Sequence, residues 1–465
     1  MPVTKLSAAS AAAALFACAA PALAAPDAAL HDQALETLKK GISFRTVIPG
    51  DQVKPYAEYL RGLLLHAGFR PEDVEVRPVP EAGTAILIAR YHGTDPAKKP
   101  IVIIDHMDVV EAKREDWTRD PFTPVVENGY IFGRGAVDDK FDVSIVVTVL
   151  AKLKREGWKP GRDVILGLSG DEETRQQTAR LFPKMFPNAE MVLNGDAGGG
   201  ELAEDGRPVS YGIQASEKTY SDFAVTVTNP GGHSSRPNRT NAIYQLSADL
   251  TRLAAYRFPV MSNEITMASL KAAAPNAQGP AGEALRRYVA NPKDEEAIDI
   301  LSDDPDYVGQ LRTTCVATMI EGGHATNALP QKVTANVNCR IFPGVPSESV
   351  RQQIIKVMAD PGATVTRSAD GAIDSPASPL RPDVMAAVSK AVHARFPGLP
   401  VVPVMSAGAT DGMFTRAAGI PTYGVSGLFM KASDDFSHGL NERAPVAAID
   451  GALAHWESLL RDLAK

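Results

Sequence analysis

Residues Ile101–Val110 read IVIIDHMDVV, and the fold class follows from this stretch. Ile101 to Ile104 form an unbroken run of β-branched apolar side chains, the pattern of a strand covered on both faces. Asp105, His106, Met107 and Asp108 follow at its carboxyl end, where open α/β sheets place their chemistry. His106 and Asp108 are two residues apart, so they leave an extended chain on the same side. An imidazole that binds a metal usually has a carboxylate behind it to fix its tautomer, and Asp108 is of the right type. The alternative is a strand that merely ends in solvated polar residues. The rest of the chain decides between them.

Similar strand ends recur outward from this one. Val164–Leu168 runs into Ser169-Gly170-Asp171-Glu172-Glu173, and Met191–Leu193 into Asn194-Gly195-Asp196. Tyr130–Phe132 ends in Gly133-Arg134-Gly135. Asp138–Arg155 is expected to be a helix, with Val143, Val146, Val147, Leu150 and Leu153 along one face. Tyr56–Phe69 reads as another helix, and Val74–Val79 and Ala85–Tyr91 as strands. Strands alternating with helices predict an α/β fold: a mixed, largely parallel sheet with helices on both faces.

The pattern changes near Gln214. Tyr220–Thr228, Cys315–Ile320 and Val333–Ile341 alternate like half-exposed antiparallel strands. Ala363–Arg367 is a further strand, and Asn241–Leu253 and Val350–Met358 are helical. Residues 263–309 are polar, interrupted by Pro and Gly, with a helical Glu283–Val289, and read as an elaboration. Residues 25–213 and 375–465 are therefore expected to form one catalytic domain, with 214–374 inserted as a second, α+β domain.

A chain of 465 residues is too long for one ordinary core, in keeping with two domains. A net charge of -7 and a pI near 5.8 give no basic footprint for nucleic acid or anionic membrane. Lys5, the apolar run Leu6–Phe16 and Ala22-Leu23-Ala24 read as a secretory leader over residues 1–24. Leu15-Phe16-Ala17-Cys18 also resembles a bacterial lipobox, so a lipid anchor on Cys18 is the lesser alternative to ordinary cleavage. The expectation is an exported protein, periplasmic or secreted, without a transmembrane segment. Cys315 and Cys339 remain after the leader. Two cysteines build no thiolate zinc site. If their segments pair as a hairpin centred on Asn327, the two face each other; a bridge and a pair of buried thiols both stay open.

Placed side by side, the polar strand ends form one set: His106 and Asp108, Asp138 and Asp139, Glu172 and Glu173, Asp196, and His438 in Phe436-Ser437-His438-Gly439. Two imidazoles and several carboxylates suit one or two divalent ions such as zinc. Carboxylates packed together need a cation to stay ionised.

In order, the chain carries H-x-D after a strand, G-R-G-x-x-D-D-K (Gly133–Lys140), D-E-E (Asp171–Glu173), an acidic residue before a glycine run (Asp196–Gly200) and H-G-x-N-E (His438–Glu442). This series resembles the M20 co-catalytic metallopeptidases and amidohydrolases, a group that includes carboxypeptidases, dipeptidases and aminoacylases. The resemblance implies a zinc-exopeptidase-like catalytic domain, an inserted lid and dimerisation domain, and two zinc ions per subunit, with cobalt or manganese as substitutes. It implies that Asp138 bridges the ions, that His106 and Asp196 complete one site, and that Glu173 and His438 complete the other. Glu172 would be the general base and Asp108 would orient His106. His233 would stabilise the oxyanion from a partner subunit, making a homodimer the expected assembly. Asn327 and Arg340 would hold the substrate carboxylate, and Gly408 and Thr410 would lie in the substrate-side loop.

The chain departs from the family pattern at Phe141 and Arg175, where glycine is usual, and both are expected to add bulk beside the pocket. Asp196 stands where many members have Glu. His31, His66, His92, His393 and His455 read as ordinary, and His324, near Asn327, is left open. The expected activity is hydrolysis of an amide next to a free carboxylate. A carboxypeptidase or dipeptidase acting on peptides comes first and an N-acyl-amino-acid amidohydrolase second. A non-catalytic peptide-binding protein is disfavoured, since it has no need of Glu172.

Overall fold

The computed structural model describes residues 27–237, 239–368 and 373–465. The proposed leader and Cys18 lie outside them. Among the described residues, no helix is long and apolar enough to cross a membrane.

A ten-stranded mixed sheet organises the larger part of the molecule. Its centre is parallel: Ile101–His106 lies between Val164–Ser169 and Met191–Asn194. Thr422–Gly424, from far along the chain, pairs beside Met191–Asn194 and is followed in the sheet by Pro208–Glu217. Every residue of Ile101–His106 is buried. Ile101 and Ile103 join a core with helices Ala28–Ser43, Lys140–Arg155 and Ile449–Leu463. Val102 and Ile104 face the other way, into a smaller core with Phe182, Met413 and Phe414. The apolar run thus serves two helical layers, which is why it does not alternate. Helix Lys140–Arg155 is buried nearly all round rather than on one stripe, lying between the sheet and three other helices.

A second, antiparallel sheet has the order Thr314–Gly322, Lys332–Ile341, Thr219–Thr228, Ala363–Arg367. Along Thr219–Thr228 buried positions alternate with less buried ones. Phe223, Val225 and Val227 pack with Leu246 and Ile354 of helices Ala242–Ala255 and Ser347–Met358. The chain enters this sheet directly, from Glu217 through Lys218 to Thr219. It leaves beside its entry: Ser378 N–H donates to the Ala215 carbonyl at 2.8 Å. Cys315 lies opposite Cys339 in the ladder, and the two form a disulfide.

Residues 263–309 are more ordered than their polarity predicts. Helices Glu264–Ala273, Gly279–Ala290, Glu295–Asp303 and Pro305–Leu311 surround a core of Leu270, Leu285, Tyr288, Leu301 and Leu311. Asn263, Asp294 and Asp304 cap three of these helices through their side chains. The first helix packs on strand Val401–Ser406.

Candidate metal centre

His106 ends its strand, and Glu172 and Asp196 follow the carboxyl ends of the neighbouring parallel strands, so the sheet itself brings them together. Gly195 admits the close approach this requires, because a Cβ there would fall 2.0 Å from Asp105 Oδ1. Asp138 comes from the turn before helix Lys140–Arg155. His438 comes from a loop near the end of the chain, in a left-handed conformation (φ 61°).

Asp138 divides its carboxylate between the two imidazoles. Oδ1 lies 2.9 Å from His106 Nε2, and Oδ2 lies 3.3 Å from His438 Nε2. Asp196 Oδ1 is 3.7 Å from His106 Nε2, and Glu173 is 2.9 Å from His438 Nε2. Two ligand sets result, His106–Asp138–Asp196 and Asp138–Glu173–His438, each with ligand atoms within 4.8 Å of one another. Glu172 joins His106 and Glu173 in a third such group.

The electrostatics call for cations. Burial, with His106 opposing it, leaves the Asp196 carboxyl raised to about 6. Burial also pushes Glu172 well above the usual range, with Asp411, Asp196 and Glu173 adding to the shift. The hydrogen bonds to Asp138 and Glu173 lift His438 to about 10. The donor set, oxygen and imidazole without thiolate, fits a pair of divalent ions such as zinc.

Asp108 supports the site by a different route from the one expected. His106 Nδ1–H donates to the Asp108 backbone carbonyl at 3.1 Å. The Asp108 carboxylate accepts instead from the backbone N–H of Glu172 and Glu173, at 3.0 and 3.1 Å. Gln176 donates from its side chain to Glu172 Oε1 at 3.0 Å. Phe141 is buried in the main core and Arg175 is exposed to solvent, so Phe141 adds no bulk to the pocket.

His233 and Asn327 meet at one tip of the inserted sheet: Gly232–His233 pairs with Ala328–Leu329, and Ser234 N–H donates to the Asn327 carbonyl at 2.9 Å. Neither hydrogen-bonds a residue of the ligand sets among the described residues. Arg340 is brought to the glycine loop, where its Nη1 donates to the Ala407 carbonyl at 3.0 Å. Gly408 is exposed beside it. Thr410 is turned inward instead. Its hydroxyl donates to Glu217 at 3.1 Å and accepts from Asn194 at 3.0 Å, so it supports the loop. Glu217 is itself paired with buried Arg416 at 2.5 Å.

Sequence reasoning gave no role to three buried acids here. Asp411 accepts from Ser169 behind Glu172, Asp139 accepts from His106 N–H at 3.0 Å, and Glu442 pairs with Arg134. The signal was present, since Asp139, Arg134 and Glu442 all stand inside the quoted motifs. A cavity of about 280 Å³ opens beside Asp138 and Asp196, bordered by Gly198–Gly200, Leu428, Met430 and Asp435.

A family model for peptidase family M20/M25/M40 matches residues 102–462. The chain belongs to this family. It is a metal-dependent M20 hydrolase with a candidate dinuclear site. Among M20 relatives, it is 28% identical to human N-fatty-acyl-amino acid synthase/hydrolase PM20D1, over 77% of this chain and 73% of the human protein. The mouse protein of the same name is 28% identical over 59% of this chain, and the match spans 57% of the mouse protein's length. The fold resembles the M20 family metallo-carboxypeptidase Sso-CP2 from Sulfolobus solfataricus, with TM-score 0.69, 18% identity, and 93% and 99% of the two chains covered. It also resembles Bacillus subtilis YXEP protein, described as a dinuclear metal binding peptidase, with TM-score 0.60, 14% identity, and 93% and 98% covered.

Proposed function

We propose that this M20 hydrolase cleaves N-acyl amino acids, releasing the amino acid from its acyl group. The observation that carries this reading is the recurrence of one name, N-fatty-acyl-amino acid synthase/hydrolase, among relatives from mouse, frog, human, zebrafish and cow. It favours the second of the two sequence-based expectations. Arg340, presented at the exposed glycine loop, supplies a guanidinium for the free carboxylate that every such substrate carries.

His106, Asp138 and Asp196 would hold one zinc ion, and Asp138, Glu173 and His438 the other. When bound, the pair supplies positive charge that polarises the amide carbonyl and acidifies the attacking water. Glu172 takes that water's proton and delivers it to the leaving nitrogen. Gln176 fixes one oxygen of Glu172 and leaves the other for this task. Asp108 fixes the backbone on which Glu172 and Glu173 ride.

A carboxypeptidase or dipeptidase is the second reading. Asp435, exposed, also borders the cavity beside the ligands, and a carboxylate there suits the ammonium of a free dipeptide. A panel of N-acyl amino acids of graded chain length against free dipeptides, with and without chelator, separates the two. Acyl substrates should lead by at least about tenfold in kcat/KM, with both activities lost to the chelator. Faster dipeptide cleavage would install the second reading.

The edge strand Thr314–Gly322 supports a homodimer through the inserted sheet, since Val316, Met319 and Ile320 stand 57–60% exposed on it and edge strands of this kind invite pairing. In such a dimer His233 would serve the neighbouring site. Mixed His233→Ala and Glu172→Gln chains should then recover part of the activity each lacks alone. The disulfide supports export to an oxidising compartment.

A further inference from the structure

Asp138 and His438 sit on two irregular loops, unlike His106 and Asp196, which the sheet places. His438 is also the most exposed of the ligands, with 54% of its side chain open. Packing alone does not hold it in register with Asp138. Another pair of residues joins the two loops.

Arg134 and Glu442 form an ion pair at 2.7 Å, with side chains 3% and 0% exposed. Glu442 Oε2 accepts from Arg134 Nη1 at 2.7 Å and from Gly135 N–H at 2.9 Å. Glu442 Oε1 accepts from Val137 N–H at 2.8 Å and from Asp138 N–H at 3.1 Å. In the opposite direction, Arg134 Nη2 donates to the carbonyls of His438 and Gly439, at 3.3 and 3.1 Å. Gly133 N–H adds a bond to the Glu442 carbonyl at 3.0 Å. The guanidinium also faces the Trp117 ring, 5.1 Å from its centroid. Each loop therefore supplies a charged side chain that binds the backbone of the other. The backbone positions bound include both ligand residues themselves.

We infer that the Arg134–Glu442 pair is a positioning clasp that sets the spacing between Asp138 and His438, and so selectively tunes the affinity of the Asp138–Glu173–His438 site. The inference rests on the ligand assignment proposed above. The other site depends on it less. His106 is held by Asp139 and by the Asp108 carbonyl, and Asp196 lies two residues beyond its strand. A buried ion pair is a weak source of stability, because desolvation offsets most of its attraction. Its value here lies in orientation, the role that residues behind metal ligands commonly fill.

Glu442→Gln tests this, since it keeps the shape but replaces one acceptor oxygen by an amide that cannot accept from two N–H groups. Zinc binding is measured by equilibrium dialysis with elemental analysis, on chelator-stripped protein whose fold is checked by circular dichroism. The wild type should take up two ions. Glu442→Gln should lose roughly 10–100-fold on the ion at Asp138–Glu173–His438 and clearly less on the other, which shares Asp138 but not His438. Arg134→Lys, which keeps the charge but not the reach to both carbonyls, should show the same selective loss and decides the matter if Glu442→Gln does not fold. Wild-type affinity for both ions in the folded variants would overturn the clasp alone, as would equal losses at both sites. A wild type that takes up fewer than two ions would overturn the ligand assignment, and the clasp with it.

Discussion

The Asp108 carboxylate lies 3.7 Å from the His106 ring, yet its hydrogen bonds go to the backbone that carries Glu172 and Glu173. It links one strand end to the next. Asp108→Asn should therefore leave His106 oriented by the unchanged carbonyl. Its amide would meet one of the two N–H groups donor to donor. The expected outcome is roughly a 10–100-fold loss in turnover, with the weakened ion on the Glu173 side. Metal titration together with steady-state kinetics checks both parts.

Glu172→Gln preserves side-chain volume and removes the base. Metal content should stay at the wild-type level while turnover falls by about 10²–10⁴-fold. Near-native turnover in the metal-loaded variant would remove Glu172 from proton transfer.

Arg340→Ala tests recognition of the substrate carboxylate. A charge-assisted hydrogen bond of about 1.5–3 kcal/mol predicts roughly a 10–100-fold drop in kcat/KM for substrates with a free carboxylate. Their carboxamide counterparts should change little. Equal losses on both would make Arg340 a support for the Ala407 loop only.

The Cys315–Cys339 bridge closes a sequence separation of 24 residues. Chain entropy assigns such a loop roughly 3 kcal/mol. Denatured, unreduced protein lacking residues 1–24 should show no free thiol. Reduction, or Cys315→Ser with Cys339→Ser, should lower the denaturation midpoint. The bridge lies one residue from Arg340, so binding of carboxylate substrates should weaken in parallel.

His455 supplies a pH dependence. Burial, reinforced by nearby Arg395, lowers its pKa from 6.5 to about 3. The unfolded chain therefore binds a proton below pH 6.5 that the folded chain refuses until near pH 3. Stability is full above the unfolded value and declines as pH falls, by roughly 1.4 kcal/mol per unit across that window. His455→Gln should melt at a temperature that falls less between pH 7 and 5 than the wild type's.

Much of this was legible in the chain because apolar pattern maps directly onto burial. Ile101–Ile104 announced a strand between two layers, and a hairpin centred on Asn327, one of two readings the sequence left open, has Cys315 opposite Cys339 as the ladder does. Other features were hidden for physical reasons. Residues 263–309 are held by helix caps and a few scattered apolar residues, so their polarity masked three of the four helices and left only Glu283–Val289, within Gly279–Ala290, legible. The strands Gly199–Leu202 and Pro208–Glu217 are interrupted by glycine and polar residues and carry little β signature. Phe141 stood next to motif residues, but helical phase turns it to the core. Arg134 and Glu442 stand inside the quoted motifs, but their partnership is hidden in one dimension, since only the return of a distant segment brings them together.

The slot filled by Thr422–Gly424 has a consequence for how the protein is made. This strand sits inside the sheet, next to Met191–Asn194, yet it is synthesised after the entire inserted domain. Until it emerges from the ribosome, the nascent sheet has an open slot with unpaired backbone on both sides, and His438 does not yet exist to receive a metal. The inserted domain has one local hairpin, Thr314–Gly322 with Lys332–Ile341, and its own core, both complete before Thr422 is made. The catalytic layer must wait. Such long-range closure is slow and leaves sticky edges exposed meanwhile. Completion of the site thus needs residues 422–438, and a ribosome stalled before residue 422 would hold the inserted domain beside an unfinished active site.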